Sequence, residues 1–130
     1  DPEVHTKLIG SESYEMYIVF STDKYIKDNP EIVQAFANAV YRGVRWADSH
    51  SVDEIVAALQ PLFTNSDTLS TAVAEIKENG LWSADAQFSD SGYAAINRVA
   101  IASGLIKEPI DRSAVIADEF ILKAKENMSN

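Results

Sequence analysis

The sequence predicts a mostly helical α/β chain in which one strand is followed by about five helices. Three observations lead there. Tyr14–Ser21 is a run with apolar side chains on both faces; beyond it, apolar residues recur at helical spacing; and capping and stop signals bound those stretches. The 130 residues suffice for one domain with a real core and fall short of two. With 46% hydrophobic and 24% charged residues, the composition is that of a folded protein.

Residues 1–13 read as an irregular or weakly structured lead-in that closes at Gly10 and Ser11-Glu12-Ser13. In the strand, Tyr14, Met16, Ile18 and Phe20 share one face, and Glu15, Tyr17 and Val19 the other, the pattern of a strand covered on both sides. Thr22 can cap a short turn through Asp28. Asn29-Pro30-Glu31 joins a cap, a proline at the first helical position and a first-turn acid. The helix behind it sets Ile32, Val33, Phe36, Ala37, Val40 and Val44 on one face and ends near His50. Ser51-Val52-Asp53-Glu54 has the spacing of a capping box before Ile55, Val56 and Leu59. Asp67 can cap a helix carrying Leu69, Val73 and Ile76 that stops at Gly80. Ser89 or Asp90 opens the next, with Tyr93, Ile96, Val99 and Ala100 inward and Gly104 ending it. The last runs from about Ser113 or Asp118 to Asn127.

A lone strand cannot satisfy its own backbone donors and acceptors. Its neighbours must come from Val4–Ile9, from a second copy or from sequence beyond this chain, and the last is favoured. For the chain alone, the open edge predicts a two-fold dimer through the Tyr14–Ser21 region.

Twenty acids against eleven bases give a net charge of −9, spread along the chain. That disfavours nucleic acid as a partner, since a polyanion recruits basic patches. The absence of cysteine removes disulfides, thiolate metal sites and thiol nucleophiles. No 18-residue apolar run is present. The first residues lack the basic and apolar regions of a signal peptide, which is absent or was removed upstream.

Motifs for phosphate-binding loops, dinucleotide folds and serine hydrolases are missing. His5 and His50 have no second histidine at ligand spacing, so no metal or other cofactor is expected. Asp53/Glu54 and Asp118/Glu119 sit at helix starts, where the dipole explains them without acid–base chemistry. No catalytic residue is assigned. Tyr17 and Trp82 read as core, and Tyr41, Arg42, Arg45 and Trp46 as an exposed face with an arginine–aromatic contact. Tyr14, beside polar Ser11, Glu12 and Ser13 at the strand's start, is the candidate ligand contact, because pockets in α/β proteins gather at strand ends.

The run Ser21-Thr22-Asp23-Lys24-Tyr25-Ile26-Lys27-Asp28-Asn29-Pro30-Glu31-Ile32-Val33-Gln34-Ala35-Phe36 resembles solute-binding proteins of the nitrate/sulfonate/taurine ABC transporters, a group that includes thiamine-precursor binders. Ala39-Val40-Tyr41-Arg42-Gly43-Val44-Arg45-Trp46, Leu81-Trp82-Ser83, Gly104-Leu105-Ile106 and Pro109-Ile110-Asp111 followed by Asp118-Glu119-Phe120 continue the likeness in order over residues 14–125.

The resemblance implies the C-terminal portion of a type II periplasmic-binding-protein fold. Residues 1–21 would be an interlobe segment and crossover strand, and 22–130 a helical part packing on the first lobe. It implies a non-enzymatic component of an importer that captures a small solute such as nitrate, a sulfonate or taurine, or a heterocyclic precursor. The parent would be periplasmic or extracellular, membrane-associated, and partnered by an ABC permease. Tyr14, with Ser11, Glu12 and Ser13, would then lie at the solute cleft. The alternative is a helical ligand-sensing or interaction domain of a signalling protein.

Overall fold

The computed structural model of the chain describes residues 2–11, 17–63 and 68–129. Among them the regular elements are α-helices and short 3₁₀ turns, with no β-strand, so the helical character expected from the sequence is present. In order, α1 spans Pro2–Ile9, α2 Asp23–Asp28, α3 Pro30–Ser49, α4 Val52–Leu59, α5 Leu69–Glu78, α6 Asp90–Ala102 and α7 Asp118–Ser129. No helix among the described residues is long and apolar enough to cross a membrane.

The expected strand is the main correction. Its described part, residues 17–21, has no regular structure, and Tyr17 and Phe20 are 93% and 87% exposed. Tyr17 is therefore no core residue. An apolar run becomes a strand only where a second backbone accepts and donates along its edge, and no described segment does so. Tyr14, Glu15 and Met16 lie outside the described residues. The lead-in is corrected too. Residues 2–9 form α1, with Pro2 opening it, Glu3 in the first turn and Lys7 in the last, charges that complement the helix dipole.

Most helix boundaries follow the local signals. Thr22 Oγ1 accepts from the Tyr25 N–H at 3.1 Å. Ser51 and Glu54 form the reciprocal capping box, Ser51 N donating to Glu54 Oε2 at 2.8 Å and Glu54 N to Ser51 Oγ at 3.3 Å. Ser89 Oγ accepts from Gly92 N at 3.0 Å. At the ends of α5 and α6 the glycines adopt positive φ, +61° at Gly80 and +76° at Gly104. Each end closes as a Schellman motif: Leu81 N donates to Ile76 O and Leu105 N to Ala100 O, both at 2.9 Å. Asn29 departs from expectation, because its side-chain amide donates to Tyr25 O at the end of α2. Asp67 lies outside the described residues, and Thr68 precedes α5 without a side-chain cap.

The chain divides into two compact units, residues 1–30 with 87–119 and residues 31–86 with 120–130. In the first, α1 packs on α6, whose buried positions are Gly92, Ala95 and Asn97. Val99, expected inward, is exposed. Tyr93, Ile96 and Ala100 of the same expected face are half-buried, and the small Gly92 and Ala95 are buried beside them. In the second unit, α4 packs on α5 around Ile55, Leu69 and Val73, with Ala47, Val52, Val56, Leu59 and Trp82 against them. Trp82 is thus core, as the sequence suggests. Lys77 donates to the carbonyls of Ala47 and Asp48, each at 3.1 Å, and to that of His50, closing the C-terminal end of α3. Gln34 ties α3 to α7 by donating to Phe120 O at 2.8 Å.

Candidate functional site

Polar chemistry in the first unit gathers along α6. Residues 109–112 form a strap beside that helix, and the two together bound a cleft of about 630 Å³. Ile110 N donates to Asn97 Oδ1 at 2.8 Å, and the Tyr93 hydroxyl donates to Ile110 O at 3.1 Å. Asn97 Nδ2 in turn reaches Tyr93 O at 3.4 Å, which satisfies both ends of a nearly buried amide. An asparagine in mid-helix is a poor helix former, and its place here is explained by this contact with the strap.

Arg112 closes the far end of the strap. It grips Asp118 with two guanidinium nitrogens, one pair at 3.0 Å, donates to Phe88 O at 3.0 Å, and lies 3.7 Å from Asp90. The hydrogen bond to Asp118 holds the guanidinium above its ordinary pKa, and the charges of Asp118 and Asp90 act in the same direction. Asp118, read from the sequence as a helix-start acid, is therefore also half of an ion pair. Asp111 caps the 3₁₀ turn Arg112–Ala114 by accepting from Ser113 N at 2.8 Å. The Ser113 hydroxyl, then its N–H, hold Asp111 below the usual aspartate value.

Arg98 connects the cleft to the first of the sequence-predicted site residues. Its Nη2 donates to Ile9 O at 2.8 Å and to Gly10 O at 3.0 Å, covering the end of α1. Gly10 has φ +73°, a backbone conformation that favours glycine, and a Cβ there would stand 2.9 Å from that nitrogen, so the Arg98 side chain would have to shift. Ser11 follows, only 5% exposed. Glu12, Ser13 and Tyr14 lie outside the described residues. The sequence pointed to the loop and missed Arg98, Asn97 and Arg112; the mid-helix Asn97 was the signal available.

In the second unit, Tyr41 is buried and the expected arginine–aromatic contact is replaced by a stack of Trp46 on His50, ring centroids 4.2 Å apart. Arg45 instead pairs with Asp48 at 3.3 Å. The i, i+4 spacing lays one flat ring over the other at the end of α3. Among the described residues no cluster of histidine and carboxylate side chains could hold a metal ion.

The family described as NMT1/THI5 like matches residues 4–53 of the chain. The chain is also 25% identical over 118 residues to "Putative binding protein YtlA" of Bacillus subtilis (strain 168), a match covering 88% of this chain and 35% of that protein. The NMT1/THI5-like match runs from within α1 to the start of α4, so it includes Ser11. This chain spans about a third of the length of the YtlA relative. No solved structure matches it.

Proposed function

We propose that this chain is the C-terminal part of the substrate-binding component of an ABC importer, one that captures a small solute such as nitrate, a sulfonate or taurine, or a heterocyclic precursor. The observation that carries the reading is the similarity to a binding protein over nearly the whole of this chain. The partners in this reading are the solute and an ABC permease, and the parent works in the periplasm or outside the cell, held at the membrane. Catalysis has no part in it.

Residues 1–21 serve as the interlobe segment and 22–130 as the helical part on the first lobe of a type II binding-protein fold. The exposed Tyr17–Phe20 run supports this division, since four uncharged apolar side chains facing water are stable neighbours for the rest of a larger sheet and poor ones for solvent. Tyr14, with Ser11, Glu12 and Ser13, contributes one wall of the solute cleft. Deleting the gene and measuring uptake of radiolabelled nitrate, taurine and a pyrimidine thiamine precursor tests the role. Loss of uptake of one solute, restored by the full-length gene, is expected; unchanged uptake of all three together with loss of a signalling response would favour a sensor domain instead.

A further inference from the structure

Asn79-Gly80 is the one place in the sequence where asparagine precedes glycine. Chemistry singles out that pair. A backbone nitrogen can attack the side-chain amide carbon of the asparagine before it, and glycine, lacking a Cβ, leaves that nitrogen unshielded. Both residues are exposed. Beyond its own chain neighbours, nothing lies within 4 Å of where a Gly80 Cβ would stand, so water reaches the pair freely.

The folded chain holds the reacting atoms apart. Asn79 is the C-cap of α5, with φ −89° and ψ 3°. Ring closure needs Gly80 N nearly eclipsed with the Asn79 Cβ, and at that ψ the tetrahedral Cα leaves it roughly a third of a turn away. The leaving amide is held as well, since Asn79 Nδ2 donates to Glu75 O at 2.7 Å. Gly80 N donates to Lys77 O at 3.2 Å and Leu81 N to Ile76 O at 2.9 Å, so ψ cannot turn until the last turn of α5 opens. Two anchors keep that turn shut. The Lys77 side chain ties it to the carbonyls of Ala47, Asp48 and His50. Trp82, just past the cap, packs against Ile55, Leu69 and Val73.

We propose that Asn79 is a gated self-modification site, which converts to aspartate or isoaspartate only when the last turn of α5 opens, and whose product keeps that turn open. Gly80 N loses its proton to water and bonds to Asn79 Cγ. The Cγ–Nδ2 bond breaks and ammonia departs, leaving a succinimide. Water then adds to either ring carbonyl, so one ammonia is lost for each water gained. Either product puts a carboxylate at the C-terminal end of α5, where the helix dipole disfavours it and where Glu75 and Glu78 already stand. The side-chain donor to Glu75 O is gone, and isoaspartate adds a backbone carbon that breaks the register of the Schellman bonds. The step is therefore one-way. It does not depend on the importer reading.

Peptide mapping by mass spectrometry, with isoaspartate detected by isoaspartyl methyltransferase, tests this on the chain held in mildly alkaline buffer with and without urea. In urea the peptide carrying Asn79 is expected to gain isoaspartate before any other asparagine. In buffer the rate should be at least about tenfold lower, as for a turn that is open a tenth of the time or less. Lys77→Gln and Trp82→Ala leave the reacting pair intact, and each should raise the rate in buffer at least about threefold. Should Trp82→Ala unfold, Lys77→Gln still decides. The purified isoaspartate form should unfold at lower urea than the unmodified chain. Equal rates in buffer and urea, no acceleration by Lys77→Gln, another asparagine reacting first in urea, or equal unfolding midpoints would overturn the proposal.

Discussion

Arg112 shows how one side chain fixes the local geometry of the first unit. It is partly buried and makes two bonds to Asp118 and one to Phe88 O. Charged hydrogen bonds of this kind contribute about 1.5–3 kcal/mol each when removal strands a partner, so Arg112→Ala should lower unfolding stability by about 2–3 kcal/mol. Arg112→Lys should recover less than half of the loss, because an ammonium cannot supply the planar fork that grips both carboxylate oxygens. Urea unfolding of the three proteins measures this, and full recovery by lysine would show that charge alone matters. Asp111 adds a pH dependence. Its folded pKa lies below the ordinary 3.8, so the stability it contributes is complete above that value and disappears as the pH falls through the folded pKa. Asp111→Asn should flatten the acid limb of the stability profile in that range.

At the scale of elements, helix ends were the most legible part of the sequence. The Ser51–Glu54 box and the glycine stops at 80 and 104 rest on contacts within six residues, which local sequence specifies almost alone. Ser51→Ala should cost about 1 kcal/mol, read by thermal or denaturant unfolding. Glu54 is held below its ordinary 4.5, first by the Ser51 N–H and then by the Ser51 hydroxyl. Its support for α4 is therefore present above pH 4.5 and lost as the pH falls through the lower folded value, and Glu54→Gln should remove that acid sensitivity. An acid limb unchanged in Glu54→Gln would place the titration elsewhere. What local sequence could not show was long-range. The bond between Asn97 and Ile110 joins residues thirteen apart, and that from Arg98 to Ile9 joins residues 89 apart, so neither leaves a periodic trace. On α6 the expected inward face holds at Tyr93, Ile96 and Ala100, which are half-buried, and fails at Val99, which is exposed.

For the whole molecule, the Tyr17–Phe20 run matters most. Nothing described in this chain covers it, and the family resemblance assigns it to a strand in a longer protein. Phe20→Ser should therefore leave the unfolding of the 130-residue chain within about 0.5 kcal/mol, as for an exposed site, and destabilise the full-length protein by about 2 kcal/mol or more. Equal effects in both proteins would mean that the run is never buried. Solute capture by the parent is the central claim, and the most direct measurement is the dissociation constant of the full-length protein for its transported solute, compared between wild type and Tyr14→Ala by calorimetry. Saturable one-to-one binding is expected, which Tyr14→Ala weakens by about 1–3 kcal/mol through loss of an aromatic wall and a hydroxyl contact. A full-length protein that binds none of nitrate, taurine or the pyrimidine precursor would contradict the capture role, and unchanged affinity in Tyr14→Ala would contradict the placement of its site.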